Sequence, residues 1–230
     1  MSPLGWLDRL TSYLTSRYGV LLAALLALLL TYPYTATHRG AHWLLDGLWL
    51  LVLASLVRAV WYQRRSRRLV LLLGLPTIAA GALAGSGGIA GFYPLSLALR
   101  VALLAVILVG MFTSLLERER ITMDAVLGAC CIYLLLGIGW SGFYGLLHWA
   151  DASAFNLPGA QAMANPPELE LMYFSLITMT TVGYGDITPA SGLARMVAAI
   201  EALVGQLYLA IIIARLVGME LVHRDPKPPA

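Results

Sequence analysis

Thr181-Val182-Gly183-Tyr184-Gly185-Asp186 decides how this chain folds. It follows an aromatic-rich apolar stretch, Tyr173-Phe174-Ser175-Leu176-Ile177-Thr178-Met179-Thr180, and precedes a long apolar segment. Thr-Val-Gly-Tyr-Gly is a short run of backbone whose carbonyl oxygens can all be turned to one side. The two glycines permit the left-handed dihedrals that such a ribbon needs. In lipid, unpaired carbonyls are tolerated only where they are buried in protein or line a watery path.

The rest of the chain supplies the lipid. Of 230 residues, 60% are hydrophobic and only 12% are charged, which excludes an ordinary soluble domain. Six apolar stretches approach spanning length: Tyr18–Tyr34, Trp43–Tyr62, Leu69–Gly85, Phe92–Leu116, Met123–His148 and Gly192–Gly218. The first and third are short and need their interfacial residues to reach the ~20 of a usual span. Tyr32, Tyr34, Trp43, Trp61, Tyr62 and Trp149 stand at the expected ends as interfacial anchors. No small-x-small cleavage site follows the first stretch, so it reads as a span and not as a leader.

Basic residues set the orientation. With a cytoplasmic amino terminus, Arg9, Arg17, Arg64, Arg65, Arg67, Arg68, Arg118, Arg120, Arg224 and Lys227 lie inside, and only Arg39 and Arg195 lie outside. Both termini are then cytoplasmic and the Asp151–Pro189 region is external. The net charge of +3 carries no implication of nucleic acid. Arg64, Arg65, Arg67 and Arg68 mark topology first and offer an anionic-lipid contact second. The excess of arginine over lysine hints at a GC-rich bacterial host, hence a bacterial inner membrane. Cys130 and Cys131 are adjacent on a helix, point apart and read as inert apolar residues. His38, His42, His148 and His223 are scattered, and neither a phosphate loop nor a nucleophile–base pair is present, so the sequence does not read as an enzyme.

Residues 1–17 have helical spacing of Leu4, Leu7, Leu10 and Leu14 and predict an amphipathic interfacial helix. Residues 18–116 hold four spans, and Glu117-Arg118-Glu119-Arg120 forms a short charged link into the fifth span, which on its residues alone reads as a solvated turn. Residues 121–218 hold a fifth span, an outer loop over Trp149–Ala164, a short helix over about Pro166–Met179, and the sixth span. Asn165 suits the N-cap of that short helix, Pro166 its first position, and Glu168 and Glu170 the positive end of its dipole. Residues 219–230 form a short tail. Arg100 is alone at the third-residue spacing of Leu97, Leu103, Val106 and Val109, and reads as a structural ion-pair partner of Asp46. Glu201 is an acid at membrane depth, costly unless paired. Thr178 and Thr180, on the back of the short helix, are its expected partners, in a role that is either bracing or a subunit contact. Gln206, Leu209 and Ile213 share a different helical face from Glu201.

Thr181–Asp186, between its short helix and its following span, resembles the signature of six-transmembrane, single-pore-loop potassium channels. The resemblance is close over residues 121–218; the first four spans match only in number and placement. It implies an all-α integral membrane fold: a four-helix peripheral domain plus a two-helix pore module with a re-entrant pore helix and an extended selectivity filter. One filter segment per chain implies a homotetramer. The carbonyls of Thr181, Val182, Gly183 and Tyr184, with the Thr181 hydroxyl, would replace the hydration shell of K⁺. Gly185 would permit the final turn, Asp186 would face the outer mouth, and Tyr173 and Phe174 would brace Tyr184, with Tyr173 paired to Asp186. Thr180 and Thr178 would sit behind the filter, Gly205 is either an inner-helix hinge or an ordinary helix glycine, and Gln206 would line the cavity. No cofactor is implied beyond K⁺ as permeant ion. In many members the four-helix domain senses voltage, but one arginine, at ~2.3 kcal/mol per charge per 100 mV, predicts weak voltage dependence. With no regulatory domain expected after Gly218, gating would act on the membrane part or through a separate partner. The competing readings are a poorly selective cation channel, whose filters usually replace the tyrosine retained here as Tyr184, and a K⁺ transporter subunit, which would carry several degenerate filter segments.

Overall fold

The computed structural model describes residues 16–37, 42–60, 64–85, 92–117, 122–157 and 168–224. The amphipathic segment before Arg17, most of the 117–120 link and the Asn165 and Pro166 caps lie outside the described residues. Helices α1 (Arg17–Thr37), α2 (His42–Val60), α3 (Arg64–Gly85), α4 (Phe92–Leu116) and α5 (Met123–Ala150) follow in order. Strand β1 (Phe155–Asn156), helix α6 (Glu168–Met179), strand β2 (Thr188–Pro189) and helix α7 (Gly192–Arg224) complete the chain.

Among the described residues, three helices are long and apolar enough to cross a membrane: α4, α5 and the Gly192–Met219 part of α7. The apolar part of α1 covers Arg17–Thr31 only. Arg64, Arg65, Arg67 and Arg68 are helical, forming the first turns of α3; arginine is a good helix former. Helix α7 also runs on past Gly218, so residues 219–224 of the expected tail are helical. Met219, Glu220 and Leu221 favour helix, and no proline intervenes before Pro226.

Helix α5 is the spine. Thr122 caps its start, accepting from the Ala125 amide at 3.2 Å. Asp124 accepts from the Tyr18 amide at 3.3 Å, so α5 also caps the start of α1. Gly128 lies under the Tyr18 ring, where a Cβ would stand 3.1 Å from ring carbons. On another face, a Cβ at Gly145 would stand 2.6 Å from Leu97 Cδ2, and one at Gly142 2.9 Å from Val101 Cγ2. Small residues thus let α4 approach α5 closely, which is how helices gain dispersion contacts where lipid supplies no hydrophobic drive. Leu21, Leu25, Leu56, Ile107, Met111 and Leu135 fill the resulting core.

The all-α expectation needs one amendment. β1 pairs antiparallel with β2, placing Phe155 opposite Pro189 and Asn156 opposite Thr188. The Ala190 amide donates to the Ala154 carbonyl at 2.8 Å, and Asn156 Nδ2 donates to Thr188 Oγ1 at 3.0 Å. The segment after α5 is thereby tied to the segment leaving Asp186. Two-residue strands have no periodicity to read, so the Trp149–Ala164 stretch looked like a plain loop.

Candidate functional site

Helix α6 ends in a left-handed cap. The Val182 amide donates to the Ile177 carbonyl at 2.9 Å and the Thr181 amide to the Thr178 carbonyl at 3.0 Å. These are the nested bonds of a Schellman motif, with Thr181 at the residue just past the cap. Thr181 has φ +60°, a conformation in which a non-glycine residue costs about 1–2 kcal/mol. Gly183 has φ +51° and Gly185 φ +81°. Left-handed dihedrals therefore recur at every second residue, on Thr181 as well as on the glycines. A Cβ at Gly183 or Gly185 would meet no atom within 4 Å, so the demand for glycine there is one of dihedral and not of space. Every residue from Thr180 to Asp186 is exposed on the single chain, Tyr184 at 74%.

The support behind this ribbon comes from three helices. Glu201 is fully buried on α7. Its partners are not Thr178 and Thr180 but Ser175 on α6 and Tyr144 on α5. The Thr180 hydroxyl instead donates to its own helix, to Leu176 O at 2.7 Å, and Thr178 points to a half-buried face. Because both partners of Glu201 belong to the same chain, the carboxyl does not wait for a subunit contact. Ser175 Oγ also reaches the Gly137 carbonyl at 2.8 Å. A carbonyl only accepts, and a serine has one proton to give. The network is complete when Ser175 donates to Gly137, a neutral Glu201 carboxyl donates to Ser175, and Tyr144 donates to the other Glu201 oxygen.

A second fastening holds the end of α6. The Tyr133 hydroxyl donates to the Met179 carbonyl at 3.2 Å. At Gly205 a Cβ would stand 2.6 Å from that same carbonyl oxygen and from Met179 Cγ. Helix α7 passes through Gly205 without interruption, so the glycine serves close approach to α6. Gly205→Ala is expected to cost about 1–3 kcal/mol by overpacking, read as a lowered melting temperature of the detergent-purified protein. A parent-like melting temperature would contradict this contact.

The two aromatics expected to brace Tyr184 part company. Tyr173 lies beside Asp186 and Tyr184 and interacts with both. Phe174 is buried on the opposite side, edge-on to Tyr144 and Phe155 at 5.1 and 5.5 Å between ring centres. Consecutive helical residues point about 100° apart, so only one of them can face the ribbon. On α7, Ala194, Ala198, Glu201, Gly205, Tyr208 and Ile212 form the buried stripe, whereas Gln206, Leu209 and Ile213 are exposed. Arg100 approaches Glu168 on α6 at 3.9 Å; the side chain of Asp46, its expected partner, lies outside the described residues. Among the described residues, no group of His, Cys, Asp and Glu could hold a metal ion. Tyr144, Ser175, Tyr133 and Met179 were missed by sequence reasoning. The signal available was indirect: a buried acid demands donors from whatever packs on it.

Comparison with known proteins identifies the class. The family model described as "Ion channel" matches residues 126–220, the stretch from α5 through α7. Protein LctB of Bacillus caldotenax is 31% identical over 124 residues, covering 51% of this chain and 92% of that protein. Two-pore potassium channel 2 of Arabidopsis thaliana is 30% identical over 86 residues, covering 37% of this chain and 17% of that protein. Putative potassium channel protein RPA4233 of Rhodopseudomonas palustris is 33% identical over 57 residues, covering 24% of this chain and 14% of that protein. No solved structure matches. The chain belongs to the ion-channel family, within the potassium-channel superfamily. It is a multi-pass membrane protein and a channel, not an enzyme.

Proposed function

We propose that this chain forms a homotetrameric, K⁺-selective channel in a bacterial inner membrane, with both termini cytoplasmic. The observation that carries this reading is the alternation of left-handed dihedrals at Thr181, Gly183 and Gly185. A backbone whose dihedrals alternate in hand turns successive carbonyls to one side. Four such ribbons around an axis would give K⁺ the oxygen ligands of Thr181, Val182, Gly183 and Tyr184 in place of water. Helix α6 is then the re-entrant pore helix, its carbonyl end directed at a central cavity and favouring a cation there. Asp186 and Tyr173 hold the outer mouth.

Residues 121–218 serve as the pore domain and 18–116 as a peripheral four-helix domain. Exposure of Tyr184, Gln206, Leu209 and Ile213 on one chain fits surfaces reserved for the ion path and neighbouring copies. Arg64, Arg65, Arg67 and Arg68 offer an anionic-lipid contact at the cytoplasmic side. No permeation cofactor is needed. The test is ion flux from vesicles reconstituted with the full chain. K⁺ efflux is expected to exceed Na⁺ efflux by orders of magnitude, with weak dependence on voltage. Equal fluxes would point to the poorly selective alternative and refute this reading.

A further inference from the structure

The charge on α4 is tied to the pore helix. Helix α4 carries one basic residue, Arg100, and no acid. Its guanidinium lies 3.9 Å from the carboxylate of Glu168, the first described residue of α6. Tyr93, two turns before Arg100 on the same face of α4, lies close enough to feel both charges. All three line a shallow cleft between α4, α5 and α6. The two side chains of the pair remain 40% and 36% exposed. Half-exposed ion pairs contribute little to stability, so the consequence of this one is geometric. The other end of α6 is fixed separately, by Tyr133 on the Met179 carbonyl, by Gly205 beneath it, and by Ser175 on Glu201. Helix α6 is about 18 Å long at 1.5 Å per residue. It is therefore held near the ribbon by α5 and α7 and tethered at its far end by α4.

We propose that Arg100 is a positioning residue which, through Glu168, sets the tilt of the pore helix, so that α4 acts on the filter from the helix's outer end. This rests on the pore reading above. It gives the peripheral domain a route to the filter that bypasses the inner end of α7. Movement of α4 by lipid, tension or a partner would change conduction while moving only the single charge of Arg100 in the membrane field.

The test compares the full chain in planar bilayers with Arg100→Gln, Glu168→Gln, the double variant and the exchanged pair Arg100→Glu with Glu168→Arg. Each single change is expected to lower open probability at least about fivefold, the low end for coupling between sites. The K⁺/Na⁺ ratio and the steepness of voltage dependence should stay unchanged. The double variant should be no worse than either single one, and Arg100→Lys or the exchanged pair should recover most of the loss. A K⁺-selective parent whose single variants open like it overturns the proposal and leaves the pore reading intact. So do additive losses in the double variant, or a lowered melting temperature with unchanged open probability. A parent that shows no K⁺ selectivity fails the pore reading itself, and the proposal falls with it.

Discussion

Gly183→Ala is expected to abolish K⁺ conduction while leaving assembly intact. At Gly183 φ is +51°, and the space around a Cβ is empty. The substitution therefore introduces no clash, only a dihedral penalty of about 1–2 kcal/mol per chain. Were four chains to meet on one axis, the penalty would total roughly 4–8 kcal/mol, enough to turn the ribbon out of its alternating conformation. Thr181 tolerates the same region because the Schellman bonds to Ile177 and Thr178 over-determine it. Gly183 stands one residue beyond those bonds, with its amide on the Ile177 carbonyl at 3.1 Å. Flux from vesicles at matched protein, with native mass spectrometry of the same sample, reads both halves of the prediction. Parent-like K⁺ flux from an assembled Gly183→Ala channel would remove the filter assignment.

Glu201→Leu is expected to weaken the conducting state about tenfold or more, and Glu201→Gln to be mild. Leucine leaves the buried Tyr144 hydroxyl without its partner, at about 1–3 kcal/mol for an unsatisfied group, while Ser175 keeps only its bond to the Gly137 carbonyl. Those hydroxyls join α5 and α6 to α7 directly behind the ribbon. Glutamine can replace a neutral carboxyl, because its amide N–H donates to Ser175 while its oxygen accepts from Tyr144. Single-channel recording separates the cases. Glu201→Leu channels that assemble, open and select like the parent would show that the network is packing with no bearing on conduction. A Glu201→Gln channel as damaged as Glu201→Leu would contradict the neutral-carboxyl arrangement.

Local patterns were legible in the sequence, and partners were not. Phe92–Leu116 and Met123–His148 announced α4 and α5 because long apolar runs with few charges have little other use. The short helix before Thr180 was signalled by its acidic first turn, and its end by the glycines that follow. Thr181 escaped as a left-handed residue because β-branched side chains disfavour that region, and only the nested cap bonds force it there. Glu201 stood out by its cost at membrane depth, yet Ser175 and Tyr144 could not be named in advance. Their choice depends on how α5, α6 and α7 rotate against one another, which close approaches at Gly137 and Gly205 decide. Arg100 was assigned to Asp46 by depth along the chain. Its approach to Glu168 follows from the tight seating of α4 on Gly142 and Gly145, a tertiary fact that spacing does not encode.

The central claim is that four Thr181–Tyr184 ribbons line one axis with their carbonyls toward it. A single-particle reconstruction of the full chain, purified in K⁺, tests it most directly. The account predicts a fourfold assembly with a file of ion density on the axis, flanked by the carbonyl oxygens of Thr181, Val182, Gly183 and Tyr184. An assembly of another symmetry, or a fourfold one whose axis is lined by other residues while Thr181–Tyr184 faces lipid or bulk water, would contradict it.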